Sequence, residues 1–337
     1  MLEPEALRQL KRKRNLLAFS AGVDSTALYH LLKEKKVPFD IALVNYKTRP
    51  QSDEEARYAE ELAQRDGKKI FILTRPLDPG EKAFEARARK IRYDFFNEIV
   101  TKEGYDNLVT AHQLDDMLEW SLMQLCRGCG TAEFVGMQPV EERKSYTLVR
   151  PLLFTPRAKL LEYLETNGIR YFIDRSNLDE SYRRNLFRHK AAAFLMQECP
   201  EGIARSFRYM LEDKKTLLAG MKILFREKEM VVFERPVKDA ATIRQIDRFL
   251  KKQGYLLSAA QKEEILKSGS VVVGGRWVVE IGSRLVWIAP YVETDTAMPK
   301  SFKEVCRKAR IPKKIRPYLF MTSGLERLLS SPALFSS

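Results

Sequence analysis

Cysteine is scarce: four residues in a chain of 337 do not make a secreted disulfide scaffold, and a reducing cytoplasm is the compartment that fits. Cys126 and Cys129 form one C-x-x-C, but no second pair follows, and Cys199 and Cys306 stand alone, so zinc-site spacing is not completed. Packing, a loop, or a redox or sulfur-carrying role remains open for the pair. No apolar run approaches the roughly 20 residues of a membrane span. The basic run Lys11-Arg12-Lys13-Arg14 leads only into the short Leu16-Leu17-Ala18-Phe19, which is not the apolar core of a secretory signal. No membrane partner is therefore expected. Internal repeats and low-complexity tracts are absent as well. Acidic residues are the minority charge, 45 against 59 Lys plus Arg, for a net +14. That excess points to a polyanion, nucleic acid first, with a solvated basic surface as the plainer alternative. Hydrophobic residues at 45% and charged residues at 31% exclude general disorder.

What is present alternates between two periods. Asn15 to Phe19, Phe39 to Tyr46, Lys69 to Thr74 and Asn107 to Ala111 have the short apolar character of buried strands. Between them, Thr26 to Lys35 places Ala27, Leu28, Leu31 and Leu32 at helical spacing. Ser52 is expected to cap a helix whose first turn holds Asp53, Glu54 and Glu55, and Glu81 to Lys102 predicts a long charged helix. The alternation predicts an α/β fold: a doubly wound, mostly parallel sheet with helices on both faces. Pro156 to Asn167 predicts a further helix ended by Asn167-Gly168. Beyond the basic helical stretch from Ala191 to Phe225 the texture changes. Ala241 to Gln253 predicts a helix, and Gly269 to Pro290 predicts a hairpin turning at Gly274-Gly275 and Gly282-Ser283. The length suggests about two domains, residues 1–204 and a smaller α+β region, 205–337.

Chemistry concentrates at strand ends. Ser20-Ala21-Gly22-Val23-Asp24-Ser25 lies between a strand and a helix. A tight turn of small residues there aims backbone N–H groups, a helix dipole and two hydroxyls at phosphate oxygens. No lysine sits in it, so the common Gly-Lys-Ser/Thr phosphate loop is excluded. At the end of the fourth expected strand, His112, Asp115, Asp116 and Glu119 share a helical face. In a doubly wound sheet, ligands collect at that edge. The carboxylates suit Mg²⁺ on ATP phosphates or an ammonium group, and a dipole-stabilised helix start is the alternative. Arg89 and Arg92 are one turn apart and able to reach phosphates, a solvated basic helical face being the plainer alternative. Arg127 stands in a Cys-Arg-Gly-Cys-Gly loop. Asp174-Arg175-Ser176-Asn177 and Tyr182 to Arg188 interleave Arg, Asn and aromatics in a way that suits RNA, internal salt bridges being the alternative.

The hexapeptide resembles the S-G-G-x-D-S loop of the N-type ATP pyrophosphatases. The ordered set of loop, Val44-Asn45-Tyr46 with Arg49 and Ser52, Ala88-Arg89 to Arg92-Tyr93, Ala111-His112 to Glu119, Arg127-Gly128, Gly136-Met137, Arg150-Pro151-Leu152 and Arg184-Asn185 to Arg188 resembles the tRNA(Ile)-lysidine synthetases. It covers residues 15 to 190 well, and Lys308 to Pro317 resembles that family's C-terminal tail. The chain departs from the pattern at Ala21, where glycine is usual, at Tyr46, where histidine is common, and at Trp120, where a small hydroxyl residue is more usual.

The resemblance implies an enzyme using ATP, Mg²⁺, L-lysine and an isoleucine tRNA with a CAU anticodon. The first anticodon cytidine is adenylated through its C2 oxygen, and the lysine ε-amine then displaces AMP. Ser20, Ala21, Gly22, Val23, Asp24 and Ser25 would bind the nucleotide. Asp24, His112, Asp115, Asp116 and Glu119 would be catalytic, with Asp115 and Asp116 also on the metal. Arg89, Arg92, Arg127, Arg184, Asn185 and Arg188 would bind substrate, the residues around Arg184 and Arg188 gripping the tRNA together with the basic C-terminal region.

Overall fold

The computed structural model describes residues 1–78, 80–81, 84–173, 186–218, 222–293, 298–331 and 334. The chain forms two compact units, Met1–Asp213 and Lys214–Ser337. The first unit is built on six strands: β1 (Asn15–Ala18), β2 (Asp40–Asn45), β3 (Ile70–Thr74), β4 (Asn107–Val109), β5 (Val140–Glu142) and β6 (Thr147–Val149). Their order is β3-β2-β1-β4-β6-β5, parallel throughout except where β5 runs against β6.

Helices α1 (Pro4–Leu10), α2 (Val23–Glu34), α3 (Gln51–Arg65), α4 (Phe84–Glu103), α5 (Leu114–Leu125), α6 (Thr131–Phe134) and α7 (Arg157–Thr166) complete the layers. Neighbouring strand residues point to opposite faces, and β1 shows the consequence. Leu17 enters a core with Leu28, Leu62 and Leu160 from α2, α3 and α7. Leu16 enters a second core with Phe96 and Val100 from α4. A strand covered on both sides carries continuous rather than alternating apolar residues, which is why these segments are short and greasy.

Two details differ from the sequence expectation. Helix α3 begins at Gln51 with Pro50 at its cap and no capping side chain, so the buried Ser52 lies inside the first turn instead of capping it. The helix Pro200–Leu218 runs through the expected domain limit. Its Phe207 and Leu211 pack with Leu114 and Met117 of α5, and this apolar contact keeps the chain in the first unit as far as Asp213.

The second unit is an antiparallel sheet ordered β7-β8-β11-β10-β9, from β7 (Ile223–Glu227), β8 (Met230–Glu234), β9 (Ser270–Val273), β10 (Trp277–Ile281) and β11 (Leu285–Pro290). The expected hairpin is a three-strand meander. Gly274 and Gly275, at φ +56° and +62°, make its first turn in a region that glycine enters without a Cβ penalty. Phe249 and Ile265 cover one sheet face, and Cys306, Ile315 and Leu319 cover the other. Among the described residues no helix is long and apolar enough to cross a membrane.

Candidate active site

Strands β1 and β4 are parallel neighbours, with Leu17 opposite Val109. From this pair the chain proceeds outward in both directions, to β2 and β3 on one side and to β6 on the other. Their carboxyl ends therefore open together at the switch point of the sheet, where ligands of such folds sit. The turn Ser20–Ser25 leaves β1 there, and Thr110–Gln113 leaves β4.

The turn is held from inside. Ser25 Oγ accepts the Ser20 N–H at 3.2 Å, lies 3.1 Å from Ser20 Oγ and donates to the Gly22 carbonyl at 3.3 Å. Gly22 caps α2 without a side chain, which leaves to an anion the first-turn amides that a capping side chain would take. Ala21 has φ +57°, so this position does demand the left-handed conformation for which glycine is the default. Alanine raises its cost by about 1 kcal/mol. The conformation is held by complete burial and by the Phe172 N–H donating to the Ala21 carbonyl at 2.9 Å, next to a bridge between Gly22 and Phe172.

Asp24 sits in the first turn of α2. Among the described residues its Oδ1 is buried without a hydrogen-bond partner, and the nearest cation is Arg157 Nε at 3.6 Å. Burial first, and then the charges of Asp116 and Asp115, push its pKa up to about 7, while Arg157 and Arg188 pull the other way.

The start of α5 supplies the facing carboxylates. Gln113 Oε1 accepts the Asp115 N–H at 2.5 Å, and Asp116 Oδ2 accepts the Gln113 N–H at 3.2 Å, a reciprocal cap that fixes both side chains. Asp115 Oδ2 accepts the Arg157 N–H at 3.0 Å, fastening α5 to the start of α7. Burial raises the Asp115 pKa, opposed by that backbone donor. Glu119 is fully buried. Arg188 Nε donates to its Oε1, Nη2 donates to its Oε2 at 3.3 Å, and Nη2 stands 3.6 Å from Asp116 Oδ1. His112 Nδ1 lies 2.9 Å from Thr110 Oγ1.

The phosphate turn and the acidic cluster thus meet at one edge, as the motifs implied. Arg188, expected to bind substrate, has its guanidinium against Glu119 and Asp116. A fully buried carboxylate demands a counter-charge, and Arg188 supplies it. Arg157 was not expected. Pro156 announces the start of α7, but nothing in the spacing places the next side chain beside Asp24.

The other expected contacts are spread out. Arg89 and Arg92 are exposed on the first half of α4, the half leaving the carboxyl edge after β3. Arg89 lies 4.9 Å above the Tyr93 ring, and Arg92 lies 5.9 Å above the ring of Tyr46. The Tyr46 hydroxyl donates to the Ala88 carbonyl at 2.6 Å, so tyrosine in this position braces α4 and backs an arginine. Arg127 is exposed beyond the far end of α5, roughly 15 Å along the helix from Asp116. Arg150 is buried and donates to the Gln138 carbonyl and to Glu141, both at 2.9 Å, an anchor for the sheet edge. Arg184 and Asn185 lie outside the described residues, as do 174–177 and 182–183.

Trp120 is explained by Gly136. A Cβ on Gly136 would stand 2.0 Å from Trp120 Nε1, so the indole lies directly on the glycine backbone. Gly136→Ala is expected to displace the ring, shift tryptophan fluorescence and lower stability by about 1–3 kcal/mol. An unchanged emission spectrum and melting curve would contradict this packing.

Comparison with known proteins shows the family. Residues 3–195 match the PP-loop domain family. The tRNA(Ile)-lysidine synthase of Campylobacter jejuni subsp. jejuni serotype O:2 is 43% identical over 95% of this chain and 96% of its own. That of Wolinella succinogenes is 42% identical over 97% and 98%, and that of Helicobacter pylori strain J99 is 38% identical over 93% and 91%. Among solved structures, the U34-tRNA thiolase NcsA from Methanococcus maripaludis, with its [4Fe-4S] cluster, superposes with a TM-score of 0.51 at 19% identity. That match covers 62% of this chain and 77% of the thiolase, a likeness of fold alone. From its phosphate turn to its C-terminal sheet, the chain belongs to the tRNA(Ile)-lysidine synthase family of PP-loop proteins.

Proposed function

We propose that the chain uses ATP to join L-lysine to C2 of the first anticodon cytidine of an isoleucine tRNA bearing CAU. The products are lysidine, AMP and pyrophosphate, and the setting is the cytoplasm. The observation that carries this reading is the meeting of the Ser20–Ser25 turn with Asp24, Asp115, Asp116 and Glu119 at the carboxyl edge, in a chain of this family.

In the first step the cytidine C2 oxygen attacks the α-phosphorus and the α–β P–O bond breaks. Amides of the Ser20–Ser25 turn and the α2 dipole stabilise the departing pyrophosphate. In the second step the lysine ε-amine attacks C2, the C2–O bond breaks, and AMP leaves with the oxygen. Asp116 and Glu119, now balanced by Arg188, offer anionic contacts to the lysine cation. The amine must lose a proton, and His112 and the carboxylates are the acceptors within the site. Arg89 and Arg92 hold phosphates from α4. In the second unit, the exposed Lys308, Arg310, Lys313 and Lys314 contribute to tRNA binding.

The residues also fit Mg²⁺. A buried, unpartnered Asp24 oxygen faces two further carboxylates that raise its pKa, an excess of negative charge that a cation offsets. Among the described residues, no group of three or more His, Cys, Asp or Glu is arranged to hold a metal ion, so ATP phosphates would have to supply ligands beside the protein. Asp115 and Asp116 are the residues that would hold it. Bound there, Mg²⁺ would offset charge developing on the phosphates.

The nucleotide products test the reading: ATP should be converted to AMP and pyrophosphate only when the CAU tRNA is present, and ADP formation would refute it. Cys126 and Cys129 are free, one exposed and one half-buried, and the proposed chemistry does not use them. The double variant Cys126→Ser/Cys129→Ser is expected to keep more than about half of the activity, as surface substitutions usually do. Loss of turnover in a folded double variant would point instead to sulfur transfer.

A further inference from the structure

The basic run Lys11 to Arg14 has no part in the chemistry above. It precedes β1 and therefore lies at the amino ends of the strands, opposite the catalytic edge. There it joins the loops before β2, β3 and β4 around a cleft of about 510 Å³. Arg12, Lys13, Arg14 and Lys68 line the cleft against one carboxylate, Asp40. That carboxylate is engaged, since Oδ2 accepts the Tyr105 hydroxyl at 2.7 Å and Oδ1 accepts the Lys69 N–H at 2.8 Å. Asp106, just outside, takes the Arg14 N–H at 2.9 Å and lies 3.8 Å from Lys13. Neither Arg12 nor Lys68 forms an ion pair with a described residue.

Two of these cations are held in place by the protein. Lys68 Nζ sits 3.7 Å over the Phe39 ring and donates to the Phe39 carbonyl at 3.2 Å. The Arg14 guanidinium lies 5.0 Å over the Tyr105 ring and donates to the Gly104 carbonyl at 3.3 Å. Burial lowers the Lys68 pKa, so an anion that shared its surroundings would restore a favourable setting for its charge. Lys11, Lys35, Lys36 and Lys69, all exposed, extend the same edge.

We propose that this basal cleft is a second phosphate-binding site, holding the backbone of an RNA at the end of the sheet opposite the catalytic loops. Phosphate rather than base recognition follows from the aromatic rings. Phe39 and Tyr105 are 5% and 4% exposed, with faces taken by Lys68 and Arg14, so they hold the cations and do not stack on bases. The choice of RNA over other polyanions rests on the function proposed above.

The test is equilibrium binding of the CAU tRNA transcript to the full chain at several salt concentrations. Arg12→Ala/Lys68→Ala is expected to weaken binding about five- to tenfold and lower the slope of log K against log salt by about two. AMP formation at saturating tRNA should stay unchanged. Arg12→Ala/Lys13→Ala alters only exposed side chains, and it should act in the same direction even if removing Lys68 affects folding. Unchanged affinity and slope in both doubles would overturn the proposal. So would weakened ATP binding with intact RNA binding, which would make the ligand a free nucleotide. Binding needs no catalysis, so weaker RNA binding in a chain that fails to incorporate lysine would refute the function while leaving the cleft assigned.

Discussion

Asp24→Asn is expected to abolish pyrophosphate release while making the ligand-free protein more stable above neutral pH. The activity loss should be about 10³-fold or more, because on the proposed function the carboxylate stands where phosphate charge must be handled. The stability gain follows from the pKa of about 7 in the folded chain. The folded state holds a proton that the unfolded state has already released between about pH 4 and 7. Stability therefore falls as pH rises through that window. Asparagine removes the ionisation and most of the fall. The side chain keeps 30% exposure, so after solvent screening the gain at pH 8 is about 1–2 kcal/mol. Asp115, also raised by burial, leaves a residual slope. Melting curves from pH 4 to 8, beside pyrophosphate release, check both halves. A variant that turns over normally, or that melts lower than the parent at pH 8, would show that Asp24 is not the half-buried carboxylate that handles phosphate charge.

Arg188→Ala should damage the fold more than any other single change at this edge. Glu119 is fully buried and would lose its ion pair with Arg188, and breaking a buried pair costs about 3–5 kcal/mol. In a unit of this size that lowers the melting temperature by roughly 10 °C. Adding Glu119→Gln to Arg188→Ala should recover a large part of the loss, because the two side chains share one interaction. The outward reading suggested by its spacing from Arg184 predicts something different. On that reading the melting temperature would hold, and the salt dependence of tRNA binding would fall by about one contact. That pattern, without thermal destabilisation, would show that Arg188 faces RNA.

Local signals in the sequence reach the sheet and its motifs, and tertiary docking decides the rest. The parallel sheet was legible because strands buried on both faces have a distinctive apolar density, as in Leu16-Leu17 and Leu108-Val109, and because small residues punctuate their ends. The phosphate turn and the acidic face of α5 were legible because each is local: one turn or one helical period defines it. Arg157 was not, since its proximity to Asp24 depends on how α7 docks beside α2. The direction of Arg188 was not, because spacing on one helix does not say which face is covered. The conformation of Ala21 was posed but not answered by the sequence, since φ is set by the Phe172 segment far along the chain. The first unit extended past its expected limit because Phe207 and Leu211 pack backward onto α5, a tertiary contact without a local signal. For Arg184 and Asn185, which lie outside the described residues, RNA contact remains a proposal.

On the proposed function, ATP cleavage at this edge drives lysine onto RNA. Its most direct test is to incubate the full chain with ATP, Mg²⁺, labelled lysine and transcripts of the isoleucine tRNA carrying CAU or an altered first anticodon base. Label should enter only the CAU transcript, at the first anticodon position, with one AMP and one pyrophosphate formed for each lysine. Pyrophosphate release without label in the RNA, or equal labelling of the altered transcript, would contradict the account.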